Sequence, residues 1–181
     1  EYERYTVGTW VGEIGRLMTT RNFIVTDAGG QRIAAASTLW AMIDVKTRQP
    51  LDLRDNVDYS RALLAIPCPI DKPAKIGRIE GVPCDSRRVR YSDIDFNQHT
   101  NSMKYIQWML DALPLEKLTG CRMKRLDVNF VHETRYGQQL VVCCERGTDR
   151  DRFEIRFEDG TAACKAAIRW ETSDERSNQT A

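Results

Sequence analysis

Histidine is scarce in this chain: two residues in 181, His99 and His132. They stand far apart, and neither belongs to an H-E-x-x-H or an H-x-E…C-x-x-C pattern, so the sequence supplies no zinc-hydrolase site. Excess charge is also missing. With 27 Lys+Arg against 26 Asp+Glu the formal net charge is +1, which gives no bulk attraction to nucleic acid or to a membrane surface. No apolar run approaches the ~18–20 residues that span a bilayer, and no signal peptide is visible. The six cysteines (Cys68, Cys84, Cys121, Cys143, Cys144 and Cys164) contain no C-x-x-C pair. They read as reduced thiols used as small hydrophobic side chains, which suits a cytoplasmic location. The remaining composition, 41% hydrophobic and 29% charged, is enough for one or two modest cores.

Patterning then shows a repeat. Residues 152–158, RFEIRFE, alternate strictly, as a half-buried antiparallel strand does. Asp159-Gly160 supplies a two-residue hairpin signal, and TAACKAAIRW returns as the partner strand. The segment FEIRFEDGTAACKAAIRW (153–170) echoes FIVTDAGGQRIAAASTLW (23–40) at an offset of 130. Phe23/Phe153, Gly30/Gly160, Ala36/Ala166 and Trp40/Trp170 coincide. TWVGEIGR (9–16) falls loosely opposite QLVVCCER (139–146) at the same offset. This reads as two copies of one β-meander.

A helix precedes the second copy. From Asn101 to Leu113 the polar side is only Lys104, Gln107 and Asp111, so protein should wrap this helix on most sides. Asn101 is the N-cap candidate and Pro114 the stop. Strands are expected near 87–92, 122–134, 138–146, 152–158 and 161–171. The fold class is therefore α+β, with tandem hot-dog modules in which an antiparallel sheet wraps a long buried helix. The first copy should own the same helix, but that would lie before residue 1, so the first module is expected to be truncated at its N-terminus; the competing reading is that Ala62, Leu63, Leu64 and their flanks supply a substitute cover. The expected organisation is 1–50 for the remainder of the first module, 51–86 as linker, 87–172 for the second module and 173–181 as a polar tail.

The stretch DIDFNQHTNSMKYIQWML (93–110) places Asp93, Asp95, Asn97 and His99 at the mouth of that helix. It is not an EF-hand, which wants Gly and Glu where Gln98 and Lys104 stand. Backbone N–H groups at a helix start can stabilise an oxyanion. A carboxylate beside an imidazole and an amide offers a base or nucleophile, a proton shuttle and an orienter. Helix capping with a structurally bonded histidine is the competing reading.

RYSDIDFNQHTNSMKYIQWM resembles the signature of acyl-acyl carrier protein thioesterases, the FatA/FatB type of plants and their bacterial relatives, approximately W-S-D-x-D-x-N-x-H-V-N-N-x-x-Y. Ser92, Asp93, Asp95, Asn97, His99, Asn101 and Tyr105 match it; Tyr91, Thr100 and Ser102 depart from it. The resemblance implies two tandem hot-dog modules, with the acyl chain largely in the first and hydrolysis in the second. It implies Asp95, Asn97, His99 and Glu133 as catalytic residues, Glu133 through the likeness of NFVHETRYG to Y-R-R-E-C. Thr134 stands where plant members have Cys, so the chemistry is expected to run without a thiol. The helix amides near Asn101 would hold the oxyanion. Strand alternation sends Glu133 to the face opposite Leu126, Val128, Phe130 and His132, so it must reach the site at the strand end or through a bulge. His132 reads as an ordinary strand histidine.

The expected reaction is hydrolysis of fatty acyl-acyl carrier protein to free fatty acid, with no cofactor and no metal. Asp95 acts as nucleophile or general base; the sequence leaves both open. Arg87, Arg88, Arg90, Arg122, Lys124 and Arg125 are candidate contacts for an acidic carrier protein, or merely solvated strand faces. Other readings are an acyl-CoA thioesterase, a non-catalytic acyl-binding module and, more distantly, a dehydratase. Neither nucleic acid nor membrane is an expected partner, and open sheet edges allow a homodimer.

Overall fold

The computed structural model describes residues 3–56 and 64–171. It divides into two compact units, Glu1–Pro73 and Ala74–Ala181. The polar tail expected at 173–181, and Ala62 and Leu63 of the expected cover, lie outside the described residues.

In the first unit, β1 (Thr6–Ile14), β2 (Thr19–Thr26) and β3 (Arg32–Trp40) form an antiparallel meander, followed by a short helix α1 (Leu53–Asn56). Residues 64–72 are tied to this sheet: Leu64 N–H donates to the Val11 carbonyl (3.1 Å), Trp10 Nε1–H to the Ile66 carbonyl (2.9 Å), and Lys72 pairs with Glu13 (2.6 Å). Part of the sheet's buried surface is polar. Asn22 Oδ1 accepts the Ser37 hydroxyl at 2.9 Å, and Thr20 Oγ1 accepts Glu13 N–H at 2.8 Å.

In the second unit, β4 (Val82–Arg88), β5 (Met123–Phe130), β6 (Gln139–Glu145), β7 (Arg150–Phe157) and β8 (Ala162–Trp170) form one antiparallel sheet in the order β4-β6-β7-β8-β5. Helix α2 (Ser102–Asp111) lies against it, and α3 (Leu115–Gly120) follows Pro114. Tyr105, Trp108 and Met109 pack on Leu140, Phe153 and Ile155. Within this unit α2 is covered on one side, not most of its circumference: Met103 is 64% exposed and Ile106 and Leu110 are half-buried. The first strand runs over 82–88 rather than 87–92, and residues 91–93 form a 3₁₀ turn. Pro83 is tolerated because β4 is an edge strand, where a missing N–H need cost no ladder bond.

The expected linker 51–86 is not a plain tether. Residues 74–80 form a strap across the sheet, crossing β5, β8, β7 and β6 in turn. Ala74 N–H donates to Asp127 (3.1 Å), Ile76 N–H to Asn129 (2.8 Å), Lys165 to the Gly77 carbonyl (3.3 Å), Arg152 to the Arg78 carbonyl (3.0 Å) and Glu80 N–H to Glu145 (2.6 Å). Ile76 and Ile79 bury against Ala167. The polar face of RFEIRFE is thus roofed by this strap, and Glu154 is buried. Gly81 is obligatory where the strap turns into β4, because a Cβ there would sit 2.6 Å from the Cys144 carbonyl carbon.

The two meanders match in register. Phe23 pairs with Ala36 and Phe153 with Ala166, and a bulge falls between Val25 and Thr26 and again between Ile155 and Arg156. Both turns use a left-handed glycine, Gly30 (φ 81°) and Gly160 (φ 84°). The turn is a three-residue type with a glycine bulge, not two-residue: Phe157 N–H bonds to the Thr161 carbonyl, as Asp27 N–H does to Gln31. The preceding strands match differently from the expectation. Thr9 faces Phe23 and Cys144 faces Phe153, an offset of 135 (144 − 9) rather than 130.

Candidate active site

The signature loop joins the 3₁₀ turn to α2. Asp93 is buried; its carboxylate accepts Arg90 N–H (2.8 Å), its carbonyl accepts Asn101 N–H (2.8 Å), and Lys104 stands 3.7 Å away. Ile94 and Thr100 pair as an isolated bridge, closing a tight loop between them. Inside it, Asp95 N–H donates to the His99 carbonyl (2.9 Å) and Gln98 N–H to the Asp95 carbonyl (3.0 Å). That is the turn of the two meander hairpins, with Gln98 (φ 63°) where they have glycine. A non-glycine residue in this region is strained, a recurrent property of functional loops.

Asp95 Oδ1 accepts the backbone N–H of Asn97 (2.9 Å) and, more weakly, of His99 (3.4 Å). Its Oδ2 has no hydrogen bond among the described residues, and neither has the Asn97 side chain. One carboxylate oxygen is therefore spent on shaping the loop and the other is left for chemistry.

His99 Nε2 lies 3.2 Å from Glu133 Oε2, with side chains 20% and 47% exposed. Glu133 gets there because β5 ends at Phe130. Val131 N–H and His132 N–H both donate to the Ala163 carbonyl (2.9 and 3.0 Å), a local irregularity that breaks the alternation. His132 turns its Nδ1 to the Ala162 carbonyl (2.8 Å) and takes no part in the His99 cluster. Thr134 is fully buried and hydrogen-bonded to Tyr105 and Thr100.

Asn101 caps α2, its side chain accepting Met103 N–H at 2.9 Å. Lys104 N–H bonds to the Asn101 carbonyl, so Ser102 N–H is the first-turn amide without a described partner. The sequence reading missed this division of labour, in which the cap itself consumes one of the presumed oxyanion donors.

The basic candidates do not form one patch. Arg87, Arg88 and Arg90 line a cleft of about 410 Å³ with Asp93, Lys104 and Asp111, at the β4 edge. Lys124 and Arg125 are on β5, the opposite edge, ion-paired to Glu171 (3.8 Å) and Asp127 (2.7 Å). Asp95, Asn97, His99 and Glu133 are not in the lining of that cleft. Among the described residues no three His, Cys, Asp or Glu side chains gather closely enough to hold a metal ion. Nor, among the described residues, is any helix long and apolar enough to cross a membrane.

Comparison with known proteins bears on the same residues. The acyl-ACP thioesterase C-terminal domain model matches residues 80–172, and the N-terminal domain model residues 2–59. The chloroplastic acyl-[acyl-carrier-protein] hydrolase FATB1 of Cuphea viscosissima is 26% identical over 188 residues, covering 95% of this chain. The chloroplastic palmitoyl-acyl carrier protein thioesterase of Cuphea hookeriana is 28% identical over 181 residues, covering 91%. The chain spans only 44% and 43% of the lengths of these two relatives. The crystal structure of an acyl-ACP thioesterase from Bacteroides thetaiotaomicron superimposes with a TM-score of 0.87 at 33% identity, covering 94% of this chain and 70% of that one. With both domain models in sequence order and the signature loop inside the second, the chain belongs to the acyl-ACP thioesterase family.

Proposed function

We propose that the chain hydrolyses fatty acyl thioesters of acyl carrier protein, releasing free fatty acid. The observation that carries this reading is the 3.2 Å contact between His99 and Glu133, formed beside an aspartate whose second carboxylate oxygen is free. On the general-base route, Asp95 takes a proton from water and the hydroxide attacks the thioester carbonyl. On the nucleophilic route, Asp95 Oδ2 attacks directly and water then cleaves the mixed anhydride. In both, the C–S bond breaks and the departing thiolate takes a proton from the His99 imidazolium, which regains one from Asp95 on the first route and from the attacking water on the second, while Glu133 orients the ring. Asn97 positions the acyl group, and the start of α2, through Ser102 N–H beside the Asn101 cap, is assigned to the oxyanion.

Acyl carrier protein is the proposed partner. Arg88 and Arg90 at the β4 edge are the docking residues, with Arg87 beside them already held by Asp85 (2.7 Å) and Asp111 (3.3 Å), while the ion pairs of Lys124 and Arg125 argue for a structural role there. A cytoplasmic location is supported by six free cysteines. Pairing of copies along the open β4 or β5 edge, as a homodimer, belongs to the same reading; a single-chain mass by light scattering removes it.

The test is thiol release from matched acyl-carrier-protein and acyl-CoA esters. Faster turnover of the carrier-protein ester is expected. Equal or faster turnover of the CoA ester replaces the proposed substrate, and lipid binding without turnover makes the chain an acyl-binding module. Asp95→Asn, Asn97→Ala, His99→Ala and Glu133→Gln should each lower the rate by about 10²-fold or more. Near-normal turnover of His99→Ala overturns its assignment.

A further inference from the structure

Directly behind the His99–Glu133 contact lies a buried knot of three hydroxyl groups that the hydrolytic scheme does not use. Thr134 is 0% exposed, and Thr100 and Tyr105 are also buried. Thr134 Oγ1 stands 2.6 Å from Thr100 Oγ1 and 2.8 Å from the Tyr105 hydroxyl. Thr134 N–H donates to the same Tyr105 oxygen at 3.1 Å, and Thr100 N–H donates to the Thr134 carbonyl at 2.9 Å. Three pieces of chain therefore meet at one side chain: the signature loop through Thr100, α2 through Tyr105, and the segment after β5 through Thr134 itself.

The knot is in step with the site. Residue 99 faces 133 through the imidazole–carboxylate contact, and residue 100 faces 134 through a backbone and a hydroxyl bond. Glu133 lies beyond the end of β5, so no strand ladder holds it. We propose that Thr134 is a positioning residue, whose hydroxyl, clamped between Thr100 and Tyr105, holds Glu133 in register with His99; this rests on the hydrolytic reading above.

The chemistry favours a hydroxyl at this position. One hydroxyl serves both inner contacts, able to donate in one and accept in the other, at separations of 2.6–2.8 Å. A thiol is a weaker donor and acceptor, and sulfur bonds at longer range, so beside Thr100 and Tyr105 it fits these two short contacts less well than a hydroxyl. Burial raises the Tyr105 phenol above its ordinary value, so its proton stays available to the knot. Displacements of about 1 Å in such support can cost up to about 10²-fold in rate.

The test uses Thr134→Val, which keeps shape and removes the hydroxyl, with Thr134→Ser as the conservative rescue and Thr134→Cys as the thiol. Thr134→Val should lower kcat by about 10-fold or more while KM moves less than about threefold, Thr134→Cys should fall between, and Thr134→Ser should return most of the loss. The decisive reading is the NMR signals of the two imidazole rings. Those of His99 should move in Thr134→Val, while those of His132, bonded to the Ala162 carbonyl, should stay. Tyr105→Phe cuts the knot from the helix side and should give the same His99 shift, which keeps the test open if Thr134→Val does not fold. His99 signals that coincide with the wild type overturn the proposal whatever the turnover. A wild-type chain that cleaves no thioester instead overturns the hydrolytic reading, and the imidazole signals still judge the knot.

Discussion

Asp151 has no exposed surface, yet three donors converge on its carboxylate: Trp170 Nε1–H at 2.7 Å, Gly147 N–H at 3.0 Å and Lys117 at 2.7 Å. Lys117 also donates to the Gly147 carbonyl (2.7 Å) and lies over the Trp170 ring, 5.4 Å from its centroid. A buried carboxylate is tolerable only when its partners replace water, and here they do so from α3, β8 and the β6–β7 turn. Asp151→Ala leaves the indole N–H, an amide and an ammonium with lost partners. It should destabilise the fold by about 3 kcal/mol, measured by urea denaturation. An unchanged midpoint would show that water replaces the carboxylate at no cost. The same logic separates the two copies of the repeat: position 21, equivalent to 151, is Arg21, and Trp40 is exposed where Trp170 is buried.

At the scale of elements the strap of residues 74–80 matters most. It carries no strand pattern of its own, and its backbone groups are satisfied one by one by side chains of the sheet beneath. Ile79 is fully buried and, with Ile76 and Ala167, supplies the apolar anchor. Ile79→Ala should cost about 2–4 kcal/mol. In that variant, amide hydrogen exchange in residues 74–80 should speed up more than in α2. Uniform acceleration instead would mean that the strap unfolds only with the whole unit. The helix α3 follows the same pattern of dependence, since its six residues are too few to be stable alone and Lys117 docks it.

For the molecule as a whole, charges nearly cancel, so acid sensitivity resides in particular carboxylates. Arg125, hydrogen-bonded to Asp127, holds that carboxyl below its ordinary value against burial. At Glu154 burial pushes the carboxyl up, but the hydrogen bond from Arg156 and the Lys165 ammonium 3.2 Å away outweigh it, and the net displacement is downward. Groups lowered in this way stabilise the fold fully above their unfolded values, near pH 4–4.5, and that contribution is lost as pH falls further. Stability should therefore drop below about pH 4.5, and Glu154→Gln should flatten that drop while lowering stability at pH 7. An identical pH slope in Glu154→Gln would remove Glu154 as a source of acid sensitivity.

Strand alternation, the turn glycines, the 130-residue echo and the loop–helix signature were all legible in the residues, because each depends on local spacing: period two, a left-handed turn, an N-cap. The hot-dog class followed from them. The strap, the burial of Glu154, the edge position of Pro83 and the division of the basic residues between β4 and β5 were not legible, because they depend on which strands become neighbours. That Glu133 must leave the strand pattern to reach the site was legible; that alternation stops at Phe130, and that Thr134 is then buried against Tyr105 and Thr100, was not. Local propensity acts over a few residues, whereas these contacts join positions 29 to 88 residues apart, and only the folded chain brings them within reach.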